Sequence, residues 1–264
     1  WSVRVPASTS NLGPGFDCLG LALGAYLDVS AREAEGESER SYLGTLEGEA
    51  NAWPRDESNR LLRAYALAAR DLRVDGPPLV FDVASRIPIE RGFGSSGAAT
   101  AAGLMIAAAR AHDRAPAREQ LVGLGIAIEG HPDNVTASLL GGLTLGVPVP
   151  NEPHRAWVVR SELAQTLRCV IAWPRARLAT ERARAALPAQ VPFAVALENP
   201  RRLALLLEGL REGDAELLRA GSHDGLHTPF RLPLLPGAKE TLAAAREAGA
   251  ALAAISGSGS GLVS

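Results

Sequence analysis

Hydrophobic and polar positions along the chain alternate between a period near two and a period near 3.6, which predicts strands and helices mixed throughout. Ser2 to Pro6 alternates as a short strand, and Leu19 to Ala31 predicts a longer one with Gly24 as a candidate bulge. Between them, Ala7-Ser-Thr-Ser-Asn-Leu-Gly-Pro-Gly-Phe-Asp17 predicts a polar, glycine-containing loop. Ala34 to Ser58 is charged and turn-rich, predicting strand pieces and exposed connection. Leucines and alanines at helical spacing predict a helix over Asn59 to Leu72, with Asn59 or Ser58 as its cap. Leu79 to Ala84 predicts a strand leading into a glycine-rich loop and a helix over Ser96 to Ala111.

After Pro116 a second helix runs to about Glu129, and Gly130-His-Pro-Asp-Asn134 opens a third that ends at Gly141-Gly142. Leu143 to Val149 predicts a strand. The three prolines of Pro148 to Pro153 mark a candidate domain boundary, giving domains 1–150 and 151–264. Beyond it, strands are expected over Trp157 to Arg160, Leu167 to Trp173 and Ala251 to Ile255. Helices are expected over Thr180 to Ala186, Pro192 to Leu210, Ala215 to Ala220 and Leu242 to Ala248, with His223 to Pro236 irregular. A second glycine-serine loop follows at Ser256 to Gly261. The mixture predicts an α+β or α/β class.

The richest chemistry lies at Pro88-Ile-Glu-Arg-Gly-Phe-Gly-Ser-Ser-Gly-Ala-Ala99. Its glycines let the backbone approach a ligand closely, and its serines open the helix that follows. Free amides and the positive end of the helix dipole coincide there, which suits a polyphosphate. Gly92-x-Gly94-x-x-Gly97 also matches the dinucleotide fingerprint. That motif requires an acidic residue about 20 residues on, ending the next strand. Here the distance lands at Asp113, beside a helix end, and another helix follows. A structural glycine-rich turn is the plain alternative.

Composition removes further alternatives. Lys239 is the only lysine, and its sequence context excludes a Walker A or protein-kinase lysine. A formal charge of −2 gives no reason to expect nucleic acid or an anionic membrane as partner. The longest uncharged stretch, Phe93 to Ala109, is shorter than the roughly 20 apolar residues of a membrane span. Cys18 and Cys169 make neither a disulfide framework nor a metal site, and a cytoplasmic location is expected.

The string Pro-x-x-x-Gly-x-Gly-Ser-Ser-x-Ala resembles the ATP loop of the GHMP kinases, which bind phosphates without a lysine. Val5 to Asp17, Glu129 to Asn134, Ala179 to Arg184, His227 to Arg231 and Ile255 to Gly259 resemble further segments of that family, in its order and in its homoserine kinase form. The matches span nearly the whole chain. The resemblance implies an α+β fold: a ribosomal protein S5 domain 2-like N-terminal domain with a left-handed βαβ crossover, then a ferredoxin-like C-terminal domain. It implies ATP-dependent phosphorylation of the side-chain hydroxyl of L-homoserine, giving O-phospho-L-homoserine on the threonine pathway, with Mg²⁺ and a homodimer.

By that resemblance Pro88, Ile89, Glu90, Arg91, Gly92, Phe93, Gly94, Ser95, Ser96, Gly97 and Ala98 bind ATP, with Asn59 on the adenine side. Ser96 and Glu129 are the implied metal ligands, hard oxygens of the kind Mg²⁺ takes. A simple helix cap is the bland reading of Ser96, and a solvated helix-end carboxylate that of Glu129. Arg184 and Arg231 occupy the places for the homoserine carboxylate, with Thr180 one turn before Arg184. Asp17 suits the ammonium, and Asn11 adds a neutral hydrogen bond. His131 and Asn134 would touch homoserine near its hydroxyl, and Asp133 is the candidate base. A cap or first-turn role is the bland account of Asp17 and Asp133.

The family's third glycine motif continues Pro-Thr where this chain has Ser260-Gly261, and the sequence stops at Ser264. The second domain is therefore expected to lack an outer strand. Two rivals remain: a kinase of the same family for another small alcohol, such as mevalonate or a sugar, and a non-catalytic nucleotide-binding relative. Paired arginines with Asp17 favour an amino acid.

Overall fold

A computed structural model describes every residue except 37, 112–115 and 153. Asp113 lies outside the described residues, as does Pro153. Strands β1 (Ser2–Asn11) and β2 (Gly15–Glu33) form a long antiparallel hairpin. Pro6 pairs with Tyr26 and Ala7 with Leu23, so Gly24 and Ala25 form the bulge expected near Gly24. The other edge of β2 takes β4 (Leu79–Ser85) along its second half and β5 (Leu143–Pro148) along its first. Strand β3 (Tyr42–Gly48) runs parallel to β4, and helix α1 (Arg60–Asp71) connects them as a βαβ unit. The Asn59 side chain caps α1, accepting from the amides of Leu61 and Leu62.

Helices α2 (Ser95–Arg110), α3 (Arg118–Glu129) and α4 (Asp133–Leu140) complete this half. Alanine and glycine make α2 thin enough to be buried almost all round, against α1, β1, α3 and α4. The core around it joins Val5, Leu27, Val29, Phe81 and Val83 of the sheet to Leu61, Leu104, Ile106 and Leu121 of the helices.

One expectation is corrected here. The segment from Ala7 is not a loop: β1 continues to Asn11, with Ser8, Thr9 and Ser10 fully buried. Their hydroxyls find buried partners, so polarity does not expel them from the sheet. Strand β6 (Ala156–Ser161) pairs with β5 from Pro148↔Ala156 to Leu143↔Ser161, so the first sheet continues beyond position 150 to Ser161. Prolines interrupt a tight turn and a linker alike.

The remaining chain forms α5 (Thr180–Ala185), α6 (Phe193–Glu212), α7 (Ala215–Gly221), α8 (Thr228–Arg231) and α9 (Ala238–Glu247). A small antiparallel sheet of order β7-β9-β8 joins them, from Ile171–Ala172, Leu262–Val263 and Ala254–Ile255. The strand expected over Leu167 to Trp173 thus shortens to two residues, and the region read as irregular contains α8. The tip of the β1–β2 hairpin enters this part. Leu12, Leu19 and Leu21 share a core with Leu206, Leu210, Leu218 and Val263. The fold is α+β, and among the described residues no helix is long and apolar enough to cross a membrane.

Candidate active site

The glycine-rich loop enters α2 through Gly94, the N-cap, at φ 69° with no side-chain cap. The amides of the first turn therefore keep no side-chain partner, and the dipole favours an anion in front of them. A Cβ on Gly92 would overlap the Ser256 carbonyl, and one on Gly94 would overlap the Ser8 hydroxyl. Both also have positive φ, so only glycine lets this loop lie against β1 and the 256–261 loop.

Ser96 stands second in α2 and is not the cap. Its hydroxyl lies 2.9 and 2.7 Å from the two Glu129 carboxylate oxygens, and Thr100 Oγ1 is 2.5 Å from Oε1. Glu129 is the last residue of α3, where a carboxylate opposes the dipole. Its two hydroxyl partners turn that exposed helix end into a cluster of hard oxygens beside the helix N-terminus.

At the start of α4, Asp133 Oδ1 lies 2.5 Å from His131 Nδ1 and accepts from the Asn134 amide at 2.8 Å. Burial pulls His131 down, but the neighbouring carboxylate prevails and leaves it above the ordinary histidine value. Burial would raise Asp133, yet its bonds from His131 and Asn134 hold it below the usual carboxylate range. The Asn134 carboxamide is oriented from β1: Oδ1 accepts from Ser8 at 2.9 Å, and Nδ2 donates to Ser10 at 3.0 Å. Its second Nδ2 hydrogen points to Asp133 Oδ1, 3.4 Å away, which ties the carboxamide to the His131–Asp133 pair.

Asp17 and Arg184 form a two-pronged ion pair at 2.8 and 2.9 Å, half-open to solvent. The Asn11 Oδ1 accepts from the Asp17 amide, and its Nδ2 donates to the Gly257 carbonyl. The Asp17 hydrogen bond and charge hold Arg184 above its ordinary value. Arg231 differs. It is 2% exposed, with no carboxylate within ion-pair distance among the described residues, and its Nε has no hydrogen-bond partner. Burial draws this guanidinium below its ordinary value. Asp17, Asp133 and Asp224 offset this only in part and from beyond contact, and a buried cation without an ion-pair partner suits an incoming anion.

One cavity of about 440 Å³ is lined by Ser96, Glu129, the His131–Asn134 turn, Asp17, Arg184 and Arg231 together. Of the residues expected from the sequence, Arg91 and Ala98 do not line it. Arg91 turns away to the Pro174 carbonyl, and Ala98 is buried in the far side of α2. Asn59 lines it, with its side chain engaged in the α1 cap and with the Pro54 carbonyl. Thr180 lines it beside Ser258, 3.2 Å away. The sequence reading missed Ser10, Trp53, Arg60, Gly257 and Ser258 as lining residues. For Gly257 and Ser258 the signal was present in the second glycine-serine loop, which carried no residue assignment. Trp53 and Arg60 carry no local signal, because only the fold brings them here.

The pattern described as GHMP kinases N terminal domain matches residues 59–142, and that described as GHMP kinases C terminal matches 206–263. The homoserine kinase of Synechococcus sp. is 43% identical over 260 residues, 97% of this chain and 81% of that protein. The chain belongs to the GHMP kinase family. The homoserine kinase of Parasynechococcus marenigrum is 42% identical, over 99% of this chain and 82% of that one. The crystal structure of homoserine kinase from Cytophaga hutchinsonii superposes with a TM-score of 0.86 at 27% identity, covering 99% of this chain and 84% of that one. The membership makes the enzyme an ATP-dependent kinase.

Proposed function

We propose that this chain transfers the γ-phosphoryl group of ATP to the side-chain hydroxyl of L-homoserine, giving O-phospho-L-homoserine for threonine synthesis. The observation that carries the reading is the buried Arg231, without an ion-pair partner among the described residues and unsatisfied at Nε, lining the same cavity as the α2 N-terminus. An amino-acid carboxylate supplies what it lacks. Mevalonate would also offer a carboxylate, but it leaves the Asp17 charge without the ammonium that a zwitterion brings. The similar proteins described above are homoserine kinases, which supports the same reading.

In this reading the loop from Pro88 to Gly97 binds the phosphates through backbone amides. Ser96 and Glu129 fit a divalent cation, since hydroxyl and carboxylate oxygens already converge there. When bound, Mg²⁺ supplies the charge neutralisation that phosphoryl transfer requires. Homoserine lies between the arginines and α4. Its ammonium takes Asp17, its carboxylate takes Arg231 and Arg184, and Asn134 orients its hydroxyl. Asp17 and Arg184 thus exchange each other for the two ends of the substrate. Asp133 holds the His131 ring against the acceptor. A homodimer belongs to the reading, and light scattering after size-exclusion chromatography checks it.

A coupled assay of ADP release with L-homoserine, D-mevalonate and galactose tests the function. Turnover with homoserine alone is expected. Turnover only with another alcohol, or none despite ATP binding, overturns it.

A further inference from the structure

We infer that His227 is a positioning residue for Arg231: it grips the guanidinium through Nη1 and leaves the Nε–Nη2 edge for the substrate carboxylate. The inference rests on the proposed role of Arg231.

His227 does not line the cavity; it lies behind Arg231, fully buried, at the N-cap of α8 and one turn before the arginine. Its Nε2 is 2.9 Å from the Gly13 carbonyl and 3.4 Å from Asp224 Oδ2. Both groups are acceptors, so the ring proton sits on Nε2. Burial, reinforced by Arg231 and opposed by Asp224 and Asp17, holds the imidazole below its ordinary pKa and keeps it neutral. Nδ1 is then a bare lone pair, 3.4 Å from Arg231 Nη1.

Nη1 has two hydrogens. The Gly257 carbonyl, at 3.0 Å, accepts one and His227 Nδ1 the other. These are the hydrogen bonds of the Arg231 side chain, and Nε has none. The Nε–Nη2 edge, whose two N–H groups run parallel, is the edge that binds a carboxylate as a fork. The Phe16 ring restrains both partners, stacking on His227 at 5.0 Å and lying 5.1 Å from the guanidinium carbon. Asp224 attracts Arg231 only from beyond ion-pair distance and so does not occupy its open edge. Its carboxylate accepts from the amides of Leu226, His227 and Thr228.

Three substitutions separate positioning from mere structural support. In H227N the amide oxygen takes the place of Nδ1 and can accept from Arg231, but the donor to Gly13 is lost. In H227Q the amide nitrogen takes the place of Nε2 and keeps the Gly13 bond, but offers Arg231 no acceptor. H227L offers neither. H227L is expected to raise the homoserine KM about tenfold, with kcat and the ATP KM within about twofold. H227N should restore most of the homoserine KM and H227Q should not, with thermal melts reporting the fold of each. Rescue by Gln but not Asn, equal behaviour of the two, or an unchanged KM in H227L overturns the inference. R231L measured alongside separates the two levels. An unchanged homoserine KM in R231L defeats the underlying reading, whereas a raised one with no effect in H227L defeats the role of His227 alone.

Discussion

At the nucleotide end of the cavity the chain offers backbone amides and small residues between Pro88 and Gly97. At the acceptor end it offers charged side chains drawn from β2, α5 and α8. The first end works by what is missing: no Cβ at Gly92 or Gly94, no side chain capping α2. The second works by what is held in place, and its two arginines are held differently. Arg184 already has Asp17 as a counter-ion and is partly solvated. Arg231 is dry, gripped at Nη1, and has no carboxylate partner among the described residues. The same residue type therefore carries unequal weight, because a desolvated cation gains far more from an incoming carboxylate than a paired, hydrated one.

Substitutions at the two ends sharpen this contrast. The largest effect is expected from E129Q, which removes one charge from the hard-oxygen cluster at the α2 N-terminus. In steady-state assays kcat should fall about 10²–10³-fold with the homoserine KM little changed. R231L comes next, with the homoserine KM raised by about 100-fold and the ATP KM spared. Equal changes in both constants would erase the distinction between the two ends. R184L should raise the homoserine KM by only about tenfold, since this guanidinium is half-exposed and already paired. An effect as large as that of R231L would show that burial does not rank them.

The smallest effect concerns pH. His227 has a folded pKa below its ordinary 6.5, so the unfolded chain binds the proton first as pH falls. Its contribution to stability is complete above that ordinary value and is lost as pH drops through it. His131, raised by Asp133, acts in the opposite sense in wild type and variant alike. Between about pH 7 and pH 5 the wild-type Tm should therefore fall more than that of H227N, by a difference on the order of a few degrees. A parallel decline in both proteins would show that the ring is not buried in its neutral form.

The nucleotide end was legible because glycine spacing and a following helix are local signals, and α1, α2, β4 and the Asn59 cap emerged within a residue or two. The acceptor end was legible in its membership, through motifs, but not in its pairing. Nothing local in Asp17 or Arg184 says that they bond to each other. The run Ser8 to Asn11 was misread because polar residues in a strand look like a loop when their partners, Asn134, Ser256 and Gly257, are more than a hundred residues away. The proline-rich stretch from Pro148 shows the converse: a local break in pattern does not say whether the next strand returns to the same sheet, as β6 does.

The tip of the β1–β2 hairpin carries a consequence for anyone recombining this protein with its relatives. Gly13 bonds His227, the Pro14 carbonyl accepts from Asn199, and Asn11 bonds Gly257, so this short N-terminal turn is built to fit helices and a loop 185 to 246 residues later. A chimera that takes its first half from one parent and its second from another would cut through that fit even with a crossover at a permissive surface turn. Residues 11–17 travel with the second half in three dimensions though they belong to the first in sequence, and a productive exchange has to graft them together.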